Sequence, residues 1–298
     1  MAKIFFLFLT CLAFFLLEAC SQRGERQEED QAKITLTDDL GRELKIPARP
    51  RRIMGLAPSS TEMIFAVCED STIIARTQNC NYPKKALTKP VVNNYPLDLE
   101  QLLSLRPDLV FTTDGITPLE QAEQLGRLGI PVYYQRFLSV EDVLRGLKEI
   151  GQIMHRQEQA KSLTDSLQVE INRLAQEQAA PDSPRVLVLT SQDPIYVYGR
   201  NTLVTDKLRL AGARNAVPEV FDQPYPALTR EYVLKMNPDV ILGGDFQKME
   251  SSFFQLYPEL RQTAAYKRRR VFATTDDLTS RPSPRVVESI REIKSLIR

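Results

Sequence analysis

Apolar and polar positions alternate in short blocks along the first half of the chain, and these blocks predict strands and helices in turn. Ile34 and Leu36 alternate with polar residues ahead of Asp38-Asp39-Leu40-Gly41, which is typical of a β-hairpin over residues 33–47. Further on, short apolar runs predict buried strands, and three- and four-residue spacings predict helices. The predicted strands are 52–56, 72–75, 108–112 and 131–135, and the predicted helices are one from about 58, one at 98–105 and one at 117–128.

The middle of the chain has the pattern of two consecutive helices. Apolar residues recur at helical spacing and predict one helix at 139–154 and a longer one at 156–178. Pro181-Asp182-Ser183-Pro184 then interrupts the pattern. Beyond it, strands are predicted at 185–189, 196–198, 239–243 and 270–273, and a closing helix at 286–297.

This alternation predicts an α/β fold with parallel sheets that are covered by helices on both faces. We expect an N-terminal lobe at 32–155 and a C-terminal lobe at 183–298. The segment 156–182 joins them, and a single long helix there would be a stiff link. Ser59 or Ser60 is expected to be the N-cap of the first helix.

The first residues predict where the protein resides. Lys3 precedes a mostly apolar run, Ile4 to Leu17, which is too short to span a bilayer and fits a secretory signal. Leu17-Glu18-Ala19-Cys20 resembles a bacterial lipobox, although Glu18 occupies a position that is usually small or uncharged. The resemblance implies a signal peptide at 1–19 and a lipid on Cys20; a plain secretion signal and an anchoring helix are the alternatives. Residues 20–31 are polar and predict a flexible tether, so we expect the protein in the periplasm or on the cell surface.

Composition and charge exclude several classes of protein. The chain has 39 Lys and Arg against 38 Asp and Glu, a net charge of +1, so no strong field favours nucleic acid. His155 is the single histidine, which excludes a multi-histidine metal site and weakens any Ser-His-Asp triad. A secreted α/β enzyme is the weaker alternative, because the chain has no Gly-x-Ser-x-Gly motif. We expect no catalytic residues, no metal site and no resident cofactor.

Cys68 and Cys80 are the cysteines of the folded part. An oxidising compartment would permit a disulfide between them, and two separate buried thiols are the alternative.

An internal repeat carries the most information. LDLEQLLSLRPDLVFTTD, from Leu97, aligns without gaps with LTREYVLKMNPDVILGGD, from Leu228. Each copy predicts a short helix with an N-cap at Asp98 or Thr229, a proline that stops the helix, and then a buried strand.

Each copy also carries a glutamate at the same place, Glu100 or Glu231. A carboxylate in the first turn stabilises its own helix through the helix dipole, which is one interpretation of both residues. The other is that each half presents one acidic side chain on a common rim. The two side chains would then dock in basic pockets of a two-subunit partner.

Candidate ligand contacts follow from the rule that α/β lobes bind ligands at the carboxyl ends of their strands. The residues in or near those loops are Ser59, Ser60, Tyr82, Asn94, Tyr95, Tyr196, Tyr198, Tyr225 and Arg281. Five of them are tyrosines, whose flat apolar face and polar tip suit a large amphipathic ring. Packing of each tyrosine on its own lobe is the alternative.

Several segments together resemble a known family. They are ITLTDDLGRELKIP, LAPSSTEMIFAV, LEQLLSLRPDLVF, TREYVLKMNPDVIL and RPSPRVVESI, along with the lipobox and the long central helix. In this order they are similar to the substrate-binding proteins of ABC importers for iron complexes and cobalamin, and closest to the cobalamin-binding members. The resemblance covers residues 33–298. It implies two Rossmann-like lobes joined by a rigid helix, with the ligand held in the cleft between them.

The resemblance also implies partners. Glu100 and Glu231 would sit in pockets of an ABC permease dimer, and the receptor itself is expected to be a monomer that contacts the membrane through its lipid anchor. The expected ligand is a metal complex of the corrinoid type. Cobalamin binders of the family carry cleft tryptophans, and this chain has Asn94, Thr113 and Tyr225 at roughly matching positions.

Two other ligands stay open at this stage. A ferric siderophore is an anionic chelate that would need cationic groups, for which Arg136 and Arg281 are candidates. Surface positions or salt bridges are the alternative for both arginines. Haem would need an axial ligand, which a cleft tyrosine could provide. His155 is predicted on a helix away from the cleft, in a structural or solvated position.

Overall fold

The computed structural model describes residues 32–176 and 183–298. The predicted signal peptide at 1–19, the lipidation site Cys20 and the tether lie outside these residues, as does the end of the predicted linking segment. None of the helices in the described ranges combines the length and the apolar character that crossing a bilayer requires.

The predicted hairpin is confirmed as β1 (Lys33–Thr37) and β2 (Glu43–Pro47), which pair antiparallel. Asp38 closes the turn, because its carboxylate accepts hydrogen bonds from the backbone N–H groups of Leu40 and Arg42, both at 3.0 Å. The Arg42 guanidinium also donates to the carbonyl of Val132, so the hairpin is attached to the first lobe.

The N-terminal lobe contains a parallel sheet in the strand order β5-β4-β3-β6-β7. Its strands are β3 (Ile53–Gly55), β4 (Ile73–Thr77), β5 (Val91–Val92), β6 (Leu109–Thr113) and β7 (Val132–Gln135). Its helices are α1 (Pro58–Val67), α2 (Leu99–Leu105) and α3 (Leu119–Arg127), with 3-10 turns at Asp70–Thr72 and Lys84–Thr88. Because the strands are parallel, their carboxyl ends lie along one edge, where α/β folds bind ligands.

The C-terminal lobe repeats this plan in a sheet with the order β10-β8-β11-β12. Its strands are β8 (Arg185–Ser191), β9 (Tyr196–Val197), β10 (Arg214–Asn215), β11 (Val240–Leu242) and β12 (Val271–Phe272). Its helices are α6 (Leu203–Ala211), α7 (Arg230–Met236), α8 (Phe246–Glu250), α9 (Phe253–Leu256), α10 (Ala264–Lys267), α11 (Asp276–Ser280) and α12 (Val286–Ile297), with a 3-10 turn at Pro258–Gln262. The predicted class, α/β with two lobes, is confirmed.

Two helices lie between the sheets. They are α4 (Val140–Ile153) and α5 (Gln157–Ala175), close to the two predicted central helices. Ser139 caps α4 in a capping box with Asp142. His155 lies in the turn between the helices with φ of 53°, and its Nε2 is 2.8 Å from the Ala48 carbonyl oxygen, which is the structural position expected for it.

One hydrophobic core extends across both lobes. It contains Val143 and Leu147 of α4, Leu208 of α6 and Ile290 and Ile293 of α12, all buried. The backbone N–H of Val140 also donates to the Asp206 carboxylate at 2.8 Å, across the junction of the lobes. The lobes are therefore joined by packed helices as well as by the covalent chain, and this restricts their relative motion.

Candidate functional site

A hollow of about 440 Å³ lies at the carboxyl ends of β8 and β11, where the α/β rule expects a ligand. Its polar lining consists of hydroxyl, amide and carboxylate side chains: Thr190, Ser191, Gln192, Thr274, Asp276 and Ser280. Tyr198 provides an aromatic wall, and burial, followed by the nearby Tyr225 and Asp276, raises the pKa of its hydroxyl. The Tyr198 hydroxyl therefore remains protonated and can donate a hydrogen bond at neutral pH.

A larger cavity, about 750 Å³, lies elsewhere. It borders Arg185 and Arg214, which pair at the amino ends of β8 and β10. Ligands of α/β folds bind at the opposite ends of the strands, so size alone does not make this cavity the ligand site.

Ser59 and Ser60 lie at the carboxyl end of β3, and both are buried. Their hydroxyls lie 3.0 and 3.3 Å from the Thr113 hydroxyl, at the end of β6. The expectation that one of them caps α1 is wrong. The N-cap is Ala57 and Pro58 opens the helix, because proline's fixed φ and missing N–H suit the first helical turn.

Asn94 faces the same edge of the N-terminal sheet. Its Nδ2 donates to the carbonyl of Leu56, just after β3, at 2.8 Å. Its Oδ1 is buried and accepts no hydrogen bond from any described residue. This amide oxygen is an acceptor available to a ligand donor.

The tyrosines predicted as ligand contacts expose much of their rings. The exposed fractions are 43% for Tyr82, 90% for Tyr95, 38% for Tyr196 and 50% for Tyr225. Tyr225 stands edge-on to Tyr198 with ring centroids 5.4 Å apart. Tyr225 therefore provides exposed aromatic surface beside the hollow, which suits an apolar or amphipathic ring.

Arg281 is held in ion pairs, which was the alternative to its predicted role as a ligand contact. Its guanidinium is 2.9 Å from the Glu62 carboxylate and 2.6 Å from that of Asp277, and it donates to Asn81 Oδ1 at 2.7 Å. Asn81 in turn donates to Asp277 at 2.8 Å. Arg281 therefore bridges the lobes at the cleft, and its charge is already neutralised.

Glu62 and Arg285 complete this bridge, and the sequence analysis missed both. Arg285 binds the Glu62 carboxylate in a bidentate contact, with Nε donating to Oε2 at 2.8 Å and Nη2 to Oε1 at 2.6 Å. The guanidinium carbon of Arg285 also lies 4.2 Å from the centre of the Tyr82 ring. Burial lowers the pKa of Arg285, but Glu62 outweighs that effect and the net pKa is raised. Glu62 is the one charged residue of α1, a helix that is otherwise uncharged and mostly buried, and this was the signal that could have identified it.

Arg136, the other candidate cation, is also in an ion pair, 2.7 Å from the Asp114 carboxylate. Neither candidate arginine is therefore free for an anionic ligand.

Lys207 fixes the wall of the hollow. It is fully buried on α6, and its ammonium nitrogen lies 2.8 to 3.1 Å from the carbonyl oxygens of Leu278, Thr279 and Arg281. Burial lowers the pKa of Lys207 to about 7, with Glu62 opposing the shift and Arg285 favouring it. This side chain holds the segment that contains Thr279 and Ser280 against the lobe.

No disulfide joins Cys68 and Cys80, which are both free and buried. Burial raises the pKa of Cys68 to about 12. The Cys80 sulfur lies 3.0 Å from the Thr77 hydroxyl and 3.1 Å from that of Thr61. Each thiol occupies its own place in the lobe, as the alternative interpretation held.

Glu100 and Glu231 are exposed in the first turns of α2 and α7. The predicted N-caps are confirmed, since Asp98 accepts from the N–H of Gln101 and Thr229 from that of Tyr232. The helix before a parallel strand runs antiparallel to it, so each glutamate lies toward the carboxyl-end edge of its sheet.

Comparison with known proteins agrees with this architecture. The profile of the periplasmic binding protein family matches residues 53–278. An uncharacterised ABC transporter substrate-binding lipoprotein of Bacillus subtilis, YvrC, is 26% identical and covers 96% of this chain and 94% of its own length. A vitamin B12-binding protein of Pectobacterium carotovorum is 30% identical over 83% of this chain and 88% of its own.

A solved structure has the same fold. The periplasmic heme-binding protein RhuT of Roseiflexus sp. RS-1, in its apo form, superposes with a TM-score of 0.71 at 26% identity, over 83% of this chain and 97% of that one. The profile match, the two curated relatives and this superposition all extend over both lobes. The chain belongs to the periplasmic binding protein family, a class of substrate-binding proteins rather than of enzymes.

Proposed function

We propose that this protein captures a corrinoid-type metal complex outside the inner membrane and delivers it to the permease of an ABC importer. The observation that carries this choice of ligand is the charge of the cleft. Arg281 and Arg136 are both neutralised by carboxylates, while the hollow presents hydroxyl, amide and carboxylate groups beside exposed tyrosine rings.

These groups match the chemistry of a corrinoid. Its macrocycle is broad and amphipathic, which suits aromatic faces such as that of Tyr225. Its periphery carries amides, which donate to acceptors such as Asp276 and the Asn94 Oδ1 and accept from hydroxyl groups. The metal is part of the bound ligand, so the protein itself needs no resident cofactor. The vitamin B12-binding relative supports the same ligand class.

Haem is the second candidate, and the observation in its favour is the exposed tyrosine hydroxyls, since phenolate oxygen is a known axial ligand of haem iron. The heme-binding structural relative agrees with it. Haem carboxylates and anionic siderophores would need arginines, and binding either would require breaking ion pairs of Arg281 or Arg136.

Titration of the purified protein followed by visible absorption separates these ligands. We expect a saturable shift of the cobalamin bands, and no comparable shift with haem or a ferric siderophore. Tyr225→Ala should weaken cobalamin binding about tenfold, because it removes a stacking face. Tyr257→Ala, a control outside the cleft-lining tyrosines, should not. Saturable haem binding without cobalamin binding would refute the corrinoid assignment.

The two exposed glutamates support docking on a dimeric permease. They occupy equivalent positions in two lobes of like fold, and a pseudo-symmetric pair of acidic side chains matches a two-fold symmetric basic surface. The receptor is then a monomer that spans both permease subunits, tethered to the membrane through lipid on Cys20.

Docking is tested separately from ligand capture. Glu100→Ala combined with Glu231→Ala should leave the ligand affinity intact and abolish uptake of the ligand. Uptake at the unaltered rate would remove the docking assignment and leave the ligand assignment standing.

A further inference from the structure

The helices that carry Glu100 and Glu231 end in the same way. Arg106 at the end of α2 and Asn237 at the end of α7 both adopt left-handed backbone, with φ of 46° and 48°. Each helix has only seven residues, too few to be stable alone, so its position depends on what holds its ends.

In the N-terminal lobe, the carboxyl end of α2 is held by Arg52, directly before β3. Its Nη2 donates to the Leu105 carbonyl at 2.6 Å and its Nε to the Arg106 carbonyl at 3.1 Å. The backbone N–H of Arg52 donates to the Asp108 carboxylate at 2.8 Å, and the N–H of Asp108 to the Arg52 carbonyl at 2.7 Å.

In the C-terminal lobe, Arg185 at the start of β8 makes the equivalent contacts. Its Nη1 donates to the Met236 carbonyl at 2.8 Å and its Nη2 to that of Asn237 at 2.6 Å. The backbone N–H of Arg185 donates to Asp239 at 2.9 Å, and the N–H of Asp239 to the Arg185 carbonyl at 2.9 Å.

Strand register shows that the two arginines are equivalent. Ile53, after Arg52, pairs with Leu109, and Val186, after Arg185, pairs with Val240. Sequence alignment of the repeat did not include these arginines, because each precedes its helix by a different number of residues.

We infer that Arg52 and Arg185 are positioning residues for permease docking. The last carbonyls of a helix lack intrahelical partners and carry partial negative charge, so a guanidinium fork there binds two of them and fixes the end of the helix on the first strand of its lobe. With Asp98 or Thr229 fixing the other end, each helix presents its glutamate in one orientation. The inference rests on the proposed docking function.

The positions of the glutamates can be measured without the permease. Nitroxide labels on Glu100→Cys and Glu231→Cys report the distance between the two sites, in a protein that also carries Cys20→Ser; Cys68 and Cys80 are buried. Adding Arg52→Met and Arg185→Met should broaden the distance distribution roughly twofold, since short unclamped helices fray. Arg127→Met with Arg173→Met removes the same charge from α3 and α5 and should leave it unchanged. An unchanged distance distribution in the protein with Arg52→Met and Arg185→Met would overturn the inference.

Docking is then measured with the cognate permease in nanodiscs. The Met pair should weaken binding about tenfold, and Arg52→Lys with Arg185→Lys, which keeps the charge but loses the fork, by about threefold. Cobalamin affinity should stay within about twofold. In the background of Glu100→Ala alone, which leaves the Glu231 contact in place, Arg52→Met should have no further effect, whereas a general loss of stability would weaken docking further.

The outcomes separate the two claims. If the glutamate pair abolishes docking and neither arginine pair weakens it, the positioning role is wrong and the docking proposal stands. If the glutamate pair leaves docking unchanged, both are wrong. Should the Met pair fail to fold, the Lys pair decides, and full docking by that pair overturns the inference.

Discussion

At the scale of single residues, the buried Glu62 carboxylate has the greatest effect on the cleft. It is 1% exposed and is shared by Arg281 and Arg285, each 13% exposed. A buried charge network is costly when one member is lost, because the remaining charges have no partner. Glu62 therefore fixes the loop and helix segments that meet between the lobes.

Glu62→Gln should lower the free energy of unfolding by about 3 kcal/mol, because two mostly buried guanidinium groups lose their shared counter-charge. Urea denaturation at neutral pH measures this. The exposed Glu100→Gln is the matched control and should change the stability by less than about 0.5 kcal/mol. Equal stabilities of the two variants would show that the bridge does not hold the lobes.

Lys207 should make stability depend on pH. Its folded pKa of about 7 lies below the ordinary value of 10.5, so between these values the unfolded chain holds a proton that the folded chain has lost. Raising the pH through this range therefore stabilises the fold, by at most about 1.4 kcal/mol per pH unit.

The comparison with Lys207→Met isolates this contribution. From pH 7 to 9 the unfolding free energy of the unaltered protein should rise relative to that variant, and below pH 7 the difference should level off. Lys235→Met, at an exposed position on α7, is the control and should show no such trend. A difference that is constant from pH 6 to 9 would mean that Lys207 stays charged in the fold.

The sequence located several side chains near the cleft, but it did not reveal which residues they contact. Ser59 lies just after the predicted strand 52–56, Asn94 donates to the carbonyl of Leu56 at the end of that strand, and Tyr225 stands edge-on to Tyr198 of the hollow. Arg281 forms a salt bridge, which was the alternative to a ligand contact, but its partner Glu62 lies more than two hundred residues away in sequence, so no local pattern could reveal the pair. Whether each placed residue touches a ligand stays a prediction.

At the scale of elements, long amphipathic helices and most apolar strands were predictable. α4 and α5 match their predicted positions within a few residues. Of the two-residue strands, β9 and β12 lie within predicted strands, whereas β5 and β10 were missed. β10 consists of Arg214 and Asn215 and has no apolar residue to indicate it. β9 was expected to be part of a parallel sheet, but it pairs antiparallel with β8, because the chain reverses direction between these two consecutive strands.

The N-caps of the repeated helices give a prediction at this scale. Asp98→Ala and Thr229→Ala should each destabilise their helix by about 1 kcal/mol, because each removes the acceptor of an N-terminal N–H group. Amide hydrogen exchange in α2 and α7 should accelerate severalfold. Ser104→Ala, within α2, is the control, and equal exchange in all three variants would show that the caps contribute nothing.

At the scale of the whole molecule, the two lobes share one core through α4, α6 and α12. Such packing favours small changes in the angle between the lobes over wide opening, in agreement with the stiff link expected from the central helices. The cleft is then largely formed before the ligand binds, which limits the conformational entropy that is lost on binding. The sequence predicted the two halves and the link, but the shared core depends on contacts between distant segments.

We propose that a corrinoid binds in the cleft between the lobes and lies against the hollow at the carboxyl ends of β8 and β11. Equilibrium dialysis of cyanocobalamin against the mature protein tests it most directly, together with Ser280→Trp, which places a bulky ring at the hollow. Ser104→Trp, on exposed α2, is the matched control.

We expect saturable binding of a single cobalamin to the unaltered protein and the control, and a loss of affinity of about tenfold or more in Ser280→Trp. Absence of cobalamin binding to the unaltered protein, or undiminished binding to Ser280→Trp, would contradict it.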